Sequence, residues 1–136
     1  MLSRTDPEYE AVRRRLIWND RVPDRFPDVI ARPGSPVEAA AAVGEARARG
    51  LQVAIRSGGH SWHAAGLRQG GMAIDVGALT GLSIDAEAGT AVVGPAVTGR
   101  ALMAALGEHG LAFPAGHCPS VAMGGVCSGE RSSAGR

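Results

Sequence analysis

Residues 35–50 carry the start and stop signals of one helix, and they constrain the fold more than any other part of the chain. Ser35 is a favoured N-cap residue, Pro36 suits the first helical position, and Glu38 follows the cap by three residues, as in a capping box. Gly50 can adopt the left-handed conformation that ends a helix. The alanine-rich sequence between these signals therefore predicts a helix that runs to Arg49.

Short apolar runs lie on both sides of this helix. Residues 28–31 predict a short strand, and residues 51–56 predict a buried one. A strand, a helix and a second strand in this order form a βαβ unit with a right-handed crossover. The helix would approach the sheet through small side chains, and its predicted inner face consists of Val37, Ala40, Ala41, Gly44 and Ala48.

Further helix and strand signals follow the same scheme. Residues 7–18 predict a charged helical segment whose role is packing, because Val12, Leu16 and Ile17 share a face. Residues 72–76 predict another strand, residues 82–85 and 90–93 predict a hairpin, and a helix extends from a Thr98 cap to Gly110. The chain is therefore expected to be one α+β domain.

A paired-glycine turn follows the second strand of the βαβ unit. It consists of Arg56, Ser57, Gly58, Gly59, His60 and Ser61. Open α/β sheets bind ligands at the carboxyl ends of their strands, where this turn lies. Two adjacent glycines permit positive φ and let backbone N–H groups face an anion without a Cβ in the way. That geometry suits a pyrophosphate.

A second unusual stretch occurs later in the chain. Residues 114–120 read Pro-Ala-Gly-His-Cys-Pro-Ser, and residues 121–125 end in a glycine pair. Together with the first turn, this stretch resembles the flavin-linked oxidases of the berberine-bridge-enzyme-like, or vanillyl-alcohol-oxidase-like, group. The resemblance extends over residues 11–125 and includes Trp18-Asn19, Ile74-Asp75 and residues 93–96.

The resemblance implies a PCMH-type FAD-binding domain, with a βαβ subdomain and the start of a mixed sheet, incomplete at its C-terminus. In this family the histidine of the first turn bonds covalently to the flavin 8α carbon, and a cysteine in the second stretch bonds to C6. These positions are His60 and Cys118, and a bicovalent FAD is expected. The cofactor-binding residues implied in this way are Arg56, Ser57, Gly58, Gly59, His60, Ser61, Gly116, Cys118, Ser120, Val121, Gly124 and Gly125.

The same resemblance implies an oxidoreductase that transfers a hydride from a substrate carbon to flavin, with reoxidation by O₂ in relatives. The proton acceptor in relatives is commonly a tyrosine of a separate substrate domain. Tyr9 is the only tyrosine here and lies in the wrong place, so no catalytic residue is assigned. A small-molecule substrate is expected only if the missing domain is supplied. Cys118 needs a lowered pKa to react as thiolate, which His117 or a nearby helix N-terminus could provide.

The sequence after Gly125 changes character and becomes polar and rich in small residues. We therefore expect an N-terminal helical segment and loop in residues 1–27, a partial FAD-binding domain in residues 28–126, and a disordered tail in residues 127–136. We hypothesise that the chain is a truncated or frame-shifted member of this family. A non-catalytic remnant that binds no cofactor stays open as an alternative.

Charge and composition exclude several other classes. The formal net charge is +1, which argues against a nucleic-acid partner or an anionic membrane surface. No apolar run is long enough to span a bilayer and no signal peptide is apparent, which predicts a cytoplasmic location. A metal site formed by His60, His63, His117 and Cys118 is a further alternative, but their spacing does not match a helical or knuckle ligand pair, and no metal ligand is assigned.

Overall fold

The computed structural model describes the backbone of residues 1–129 and the side chains of residues 1–126. Within this range the α+β class is confirmed. The helices and strands, in chain order, are β1 (Leu2–Ser3), α1 (Tyr9–Arg15), β2 (Val29–Ala31), α2 (Pro36–Ala48), β3 (Val53–Arg56), β4 (Met72–Asp75), β5 (Leu82–Asp85), β6 (Thr90–Val93), α3 (Gly99–Gly107) and α4 (Met123–Gly129).

The first sheet has the strand order β1-β2-β4-β3. Strand β4 lies between β2 and β3 and runs parallel to both, whereas β1 is antiparallel to β2. The βαβ unit predicted from the sequence is therefore present, with β4 inserted between its two strands. Met72 of β4 is in register with Val29 and with Val53, so the three parallel strands begin at one level.

Both faces of this sheet are covered. Successive residues of a strand point to opposite faces, and neighbours in β2 and β4 accordingly belong to different apolar clusters. Ile30 and Ala73 pack with α1 and its C-terminal extension, while Met72 and Ile74 pack with α2. The predicted packing role of the N-terminal segment is confirmed by burial of Val12, Leu16 and Ile17.

Helix α2 begins as the capping residues predict. The Oγ of Ser35 accepts a hydrogen bond from the N–H of Glu38 (3.2 Å). The carboxylate of Glu38 accepts from the N–H of Gly34 (2.8 Å), one residue before the cap, where a standard capping box would use the N–H of Ser35 itself. Gly50 has φ +64°, so the predicted left-handed end of this helix is also confirmed.

The predicted inner face of α2 was wrong. Ala42 and Ala46 are the buried positions, at 7% and 0% exposure, whereas Val37 is 79% exposed. The other four predicted residues are exposed as well. An alanine-rich helix has little contrast between its faces, so the residue pattern fixes the period of the helix but not which side contacts the sheet.

The second half of the chain forms a separate two-stranded sheet with helix α3 against it. Strands β5 and β6 pair antiparallel with Leu82 opposite Val93, as the hairpin prediction requires. Thr98 caps α3 through a hydrogen bond from the N–H of Ala101 (3.3 Å), but the helix ends at Gly107, before the predicted Gly110.

Helix α4 reaches Gly129, so residues 127–129 are helical where a disordered tail was expected. Residues 130–136 lie outside the described residues.

Candidate functional site

The paired-glycine turn follows β3 directly, at the carboxyl end of the sheet's edge strand. Gly59 has φ +70°, and a Cβ there would collide with the carbonyl oxygen of Leu16. A Cβ on Gly58 would lie 2.8 Å from the Cβ of Ala122. Both glycines are therefore needed for close approach, Gly59 to the N-terminal segment and Gly58 to the second sequence motif.

The backbone amides of this turn are available to a ligand. Among residues 1–129, the N–H groups of Gly58, Gly59, His60 and Ser61 donate no hydrogen bond to another part of the chain. The hydroxyl of Ser61 is engaged, since it accepts from the N–H of Ala65 (3.2 Å). Consecutive amides without internal partners at the end of a strand form the kind of concave donor set that binds phosphate oxygens.

A cleft of about 150 Å³ lies between the turn and the second motif. The structure brings part of the predicted site together around it: Arg56, Ser57, Gly58, Gly59, His60, Ser61, Val121 and Gly125 line this cleft. Gly116, Cys118, Ser120 and Gly124 do not line it. Four lining residues were missed by the sequence analysis, namely Ile55, Ala65, Gly66 and Ala122.

Arg56 has mainly structural partners. Its Nη1 contacts the Oδ1 of Asp75 at 2.9 Å, and the two side chains are only 18% and 13% exposed. Its Nε donates to the carbonyl of Leu16 (3.2 Å), and its Nη2 to that of Arg15 (3.4 Å). The guanidinium thus joins the end of α1 to strands β3 and β4. Asp75 also accepts from the N–H of Gly77 (3.0 Å), which makes it a local hydrogen-bonding carboxylate at the strand end.

His60 lies on an aromatic side chain from the N-terminal segment. Its imidazole stacks on the indole of Trp18, with ring centroids 4.9 Å apart and an angle of 12° between the planes. Trp62 contacts Trp18 edge-on, at 5.4 Å and 88°. Offset stacked and edge-to-face arrangements are the two favoured geometries of aromatic pairs. Trp18 was singled out in the sequence only as part of a family resemblance, and nothing local indicated this contact.

Cys118 is exposed, and its Sγ lies 3.2 Å from the Oγ of Ser120. The pKa of this thiol is lowered, first by the hydrogen bond with the Ser120 hydroxyl and then by one with the Ser120 backbone. The sequence analysis named His117 or a helix N-terminus as groups that could do this, whereas the causes found are at Ser120, because the chain turns back after Cys118 and brings Ser120 to the sulfur. A lowered pKa raises the thiolate fraction, which is the nucleophilic form.

The two other glycines predicted in the second motif have different surroundings. A Cβ on Gly124 would lie 2.9 Å from the Cβ of Pro95, and the N–H of Gly124 donates to the carbonyl of Pro95 (2.9 Å). Gly124 therefore permits close packing of α4 on the segment after β6. Gly116 lies in a separate hollow of about 250 Å³ with His117 and Arg100.

Metal-ligand clusters and membrane-spanning helices were both considered as features of the described residues 1–129. Within residues 1–129, no three His, Cys, Asp or Glu side chains lie close enough to share a metal ion, and the four residues considered for such a site form no cluster. None of the helices in the described part of the chain is both long enough and apolar enough to cross a membrane.

The sequence of this chain matches a known protein family and several known proteins. Residues 27–136 match the FAD binding domain family. The FAD-linked oxidoreductase pynB of Aspergillus niger is 37% identical over 105 residues, covering 77% of this chain and 19% of that protein. Berberine bridge enzyme-like 21 of Arabidopsis thaliana is 30% identical over 138 residues, covering 95% of this chain and 25% of that protein.

The fold of this chain is also similar to part of a solved structure. The crystal structure of 6-hydroxy-D-nicotine oxidase from Arthrobacter nicotinovorans superposes with a TM-score of 0.78 at 29% identity, over 89% of this chain and 26% of that one. The chain therefore spans about a quarter or less of the length of these relatives. Since the family match covers most of its residues, the chain belongs to the FAD binding domain family, and its sequence is similar to part of FAD-linked oxidoreductases and of a berberine-bridge-enzyme-like protein.

Proposed function

We propose that this chain holds FAD through the turn after β3 and the segment before α4, as the cofactor-binding part of a flavin-dependent oxidoreductase. The observation that carries the proposal is the row of amides from Gly58 to Ser61, which belong to residues that line a cleft and which have no partner elsewhere in residues 1–129. A diphosphate would supply the missing acceptors and would interact favourably with the aligned N–H dipoles.

The size of the cleft limits which part of FAD these residues contact. Pockets that enclose a drug-sized ligand measure roughly 300–1,000 Å³, whereas this cleft measures about 150 Å³. It therefore suits the diphosphate and an adjoining edge of the cofactor. Gly58 and Gly59 are both needed for the cleft to keep this shape, because a Cβ at either position would displace a neighbouring segment of the chain.

His60 and Cys118 are proposed as the attachment residues. His60 would bond the flavin 8α carbon through a ring nitrogen, and Cys118 would bond C6 through its thiolate sulfur. Each bond would replace one C–H of the flavin and one N–H or S–H of the protein, and for each bond one O₂ would take up the two protons and two electrons released, forming H₂O₂. When bound, FAD would accept a hydride from a substrate carbon and return the electrons to O₂.

Arg56, Ser57 and Ser61 have supporting roles in this proposal. The Arg56 guanidinium fixes the start of the turn against Asp75 and Leu16, and the Ser61 hydroxyl fixes its end at Ala65. The amides between these two points are then presented by a rigid segment. Ser57, Val121 and Gly125 line the cleft between them, and Gly116, Ser120 and Gly124 shape the Cys118 segment.

The test is to incubate the full chain with FAD, denature it, and measure the attached flavin by mass spectrometry and visible absorbance. We expect the mass of FAD to remain on the protein, to persist in His60→Ala and in Cys118→Ala, and to disappear in the double variant. A folded chain that retains no flavin would overturn the proposal and favour a non-catalytic remnant.

A matched glycine pair tests the contact between the two segments. Gly58→Ala places a Cβ 2.8 Å from that of Ala122, whereas Gly107→Ala places one with no atom within 4 Å. We expect the first substitution to weaken FAD binding, measured by flavin fluorescence, and the second to leave it unchanged. Equal affinities in both variants would argue against a site between these segments.

A further inference from the structure

The ring plane of His60 is set by one contact from outside the turn. Among residues 1–129 the imidazole of His60 forms no hydrogen bond. The preceding residue, Gly59, has a left-handed backbone conformation with φ +70°. The second torsion of a histidine side chain is broad and has no sharp preference of its own. The stack on Trp18, at 4.9 Å and 12°, is therefore the interaction that restrains the ring.

We propose that Trp18 is a positioning residue that holds the His60 imidazole in one plane for reaction with the flavin. This role rests on the proposed function of His60. Stacking covers one face of the imidazole, but both ring nitrogens form their bonds in the ring plane. The contact with Trp18 thus restrains the tilt of the ring while its nitrogen edge stays accessible to an electrophile.

Trp18 is well placed to act as a fixed support. It follows Leu16 and Ile17, which are 1% and 5% exposed, and the carbonyl of Leu16 accepts a hydrogen bond from Arg56 (3.2 Å). The hydrogen bond between Arg56 and Leu16 therefore joins the turn that contains His60 to the segment that contains Trp18. Trp62 contacts the indole of Trp18 at right angles and takes no part in the stack on His60.

This contact extends the site beyond the matched domain. The family match begins at residue 27, so Trp18 lies in the N-terminal segment that precedes it. That segment covers one face of the sheet through α1. The Trp18 stack gives it a second role, in which it orients the attachment histidine of the following domain.

The experiment measures the rate of flavin attachment at His60 in a Cys118→Ala background, so that only one bond can form. Trp18→Leu removes the stack, and Trp18→Phe keeps an aromatic face. Trp62→Leu is the matched control, because Trp62 is more exposed, at 72% against 44%, and contacts Trp18 and not the imidazole. We expect Trp18→Leu to slow attachment by about fivefold, a size typical of one aromatic pair, with Phe restoring most of the rate and Trp62→Leu having little effect.

A second measurement detects the stack without FAD. The ring current of the indole shifts the imidazole C–H resonances of His60 upfield, and NMR should show this shift disappear in Trp18→Leu and persist in Trp62→Leu. Unchanged resonances or an unchanged attachment rate in Trp18→Leu would overturn the positioning role alone. A chain that attaches no flavin at all would overturn the proposed function, and the positioning role with it.

Discussion

Replacing Gly59 by alanine tests whether the turn is pressed against the N-terminal segment. Two costs follow from the structure. The residue has φ +70°, and a left-handed conformation costs an L-residue about 1–2 kcal/mol. The new Cβ would also meet the carbonyl oxygen of Leu16 and lie 3.0 Å from the Nε of Arg56. Relief of that overlap must break the hydrogen bond between these two groups.

The second cost can be estimated from that bond. A hydrogen bond to a charged group contributes about 1.5–3 kcal/mol, so Gly59→Ala is expected to lower the free energy of unfolding by about 2.5–5 kcal/mol in total. Gly110→Ala is the matched control. Gly110 has φ +67°, but no atom lies within 4 Å of its added Cβ. That variant should lose only the conformational part, about 1–2 kcal/mol.

Urea denaturation followed by far-ultraviolet circular dichroism measures both variants. With a slope typical of small proteins, a difference of about 2 kcal/mol between them corresponds to a midpoint difference on the order of 1 M. The slope should be the same in both variants, because neither substitution changes the area that unfolding exposes. Equal midpoints would refute the reasoning, since they would show that the turn has room for a Cβ beside Leu16.

Three further predictions concern charged and reactive groups. Asp75→Asn should lower the free energy of unfolding by about 2 kcal/mol in thermal denaturation, because Arg56 loses its partly buried carboxylate partner. Ser120→Ala should raise the pKa of Cys118 toward the usual thiol value, so alkylation by iodoacetamide near neutral pH should become slower. Glu10 has a lowered pKa, chiefly through its hydrogen bonds with an arginine of α1, so its contribution to stability is present above the ordinary glutamate pKa of 4.5 and is lost as the pH falls through the folded value. Glu10→Gln should therefore show a smaller loss of stability on acidification than the unmodified chain.

Local signals in the sequence predicted the elements of this fold well. The Ser35 cap and the Gly50 end of α2, and the hairpin around Gly89, depend on residues within a few positions of one another. The buried face of α2 was not predictable in the same way. Its alanines differ little in hydrophobicity, and the choice of Ala42 and Ala46 as buried positions is made by the sheet below them.

The sequence predicted which residues belong to the candidate site, but it predicted their positions relative to one another only in part. The turn from Ser57 to Ser61 lines the cleft because a strand end fixes it locally. The surroundings of Cys118 and the stack on Trp18 depend on contacts between segments distant in the chain or on a local reversal. Arg56 illustrates the same limit, since sequence alone cannot distinguish an arginine that binds an anion from one that binds Asp75 and two carbonyls.

The position of β4 between β2 and β3 has a consequence for the order of folding. Strands β2 and β3 cannot join one sheet until residues 72–75 have been added, because β4 is the neighbour of both; before that, β2 can pair with β1 but not with β3. Residues 57–71, which include the glycine turn, connect β3 to β4 and are closed into a loop only at that moment. During synthesis the amides of the turn would therefore acquire their arrangement late, in the same step that closes the sheet, and a nascent chain should be unable to bind the flavin diphosphate before it.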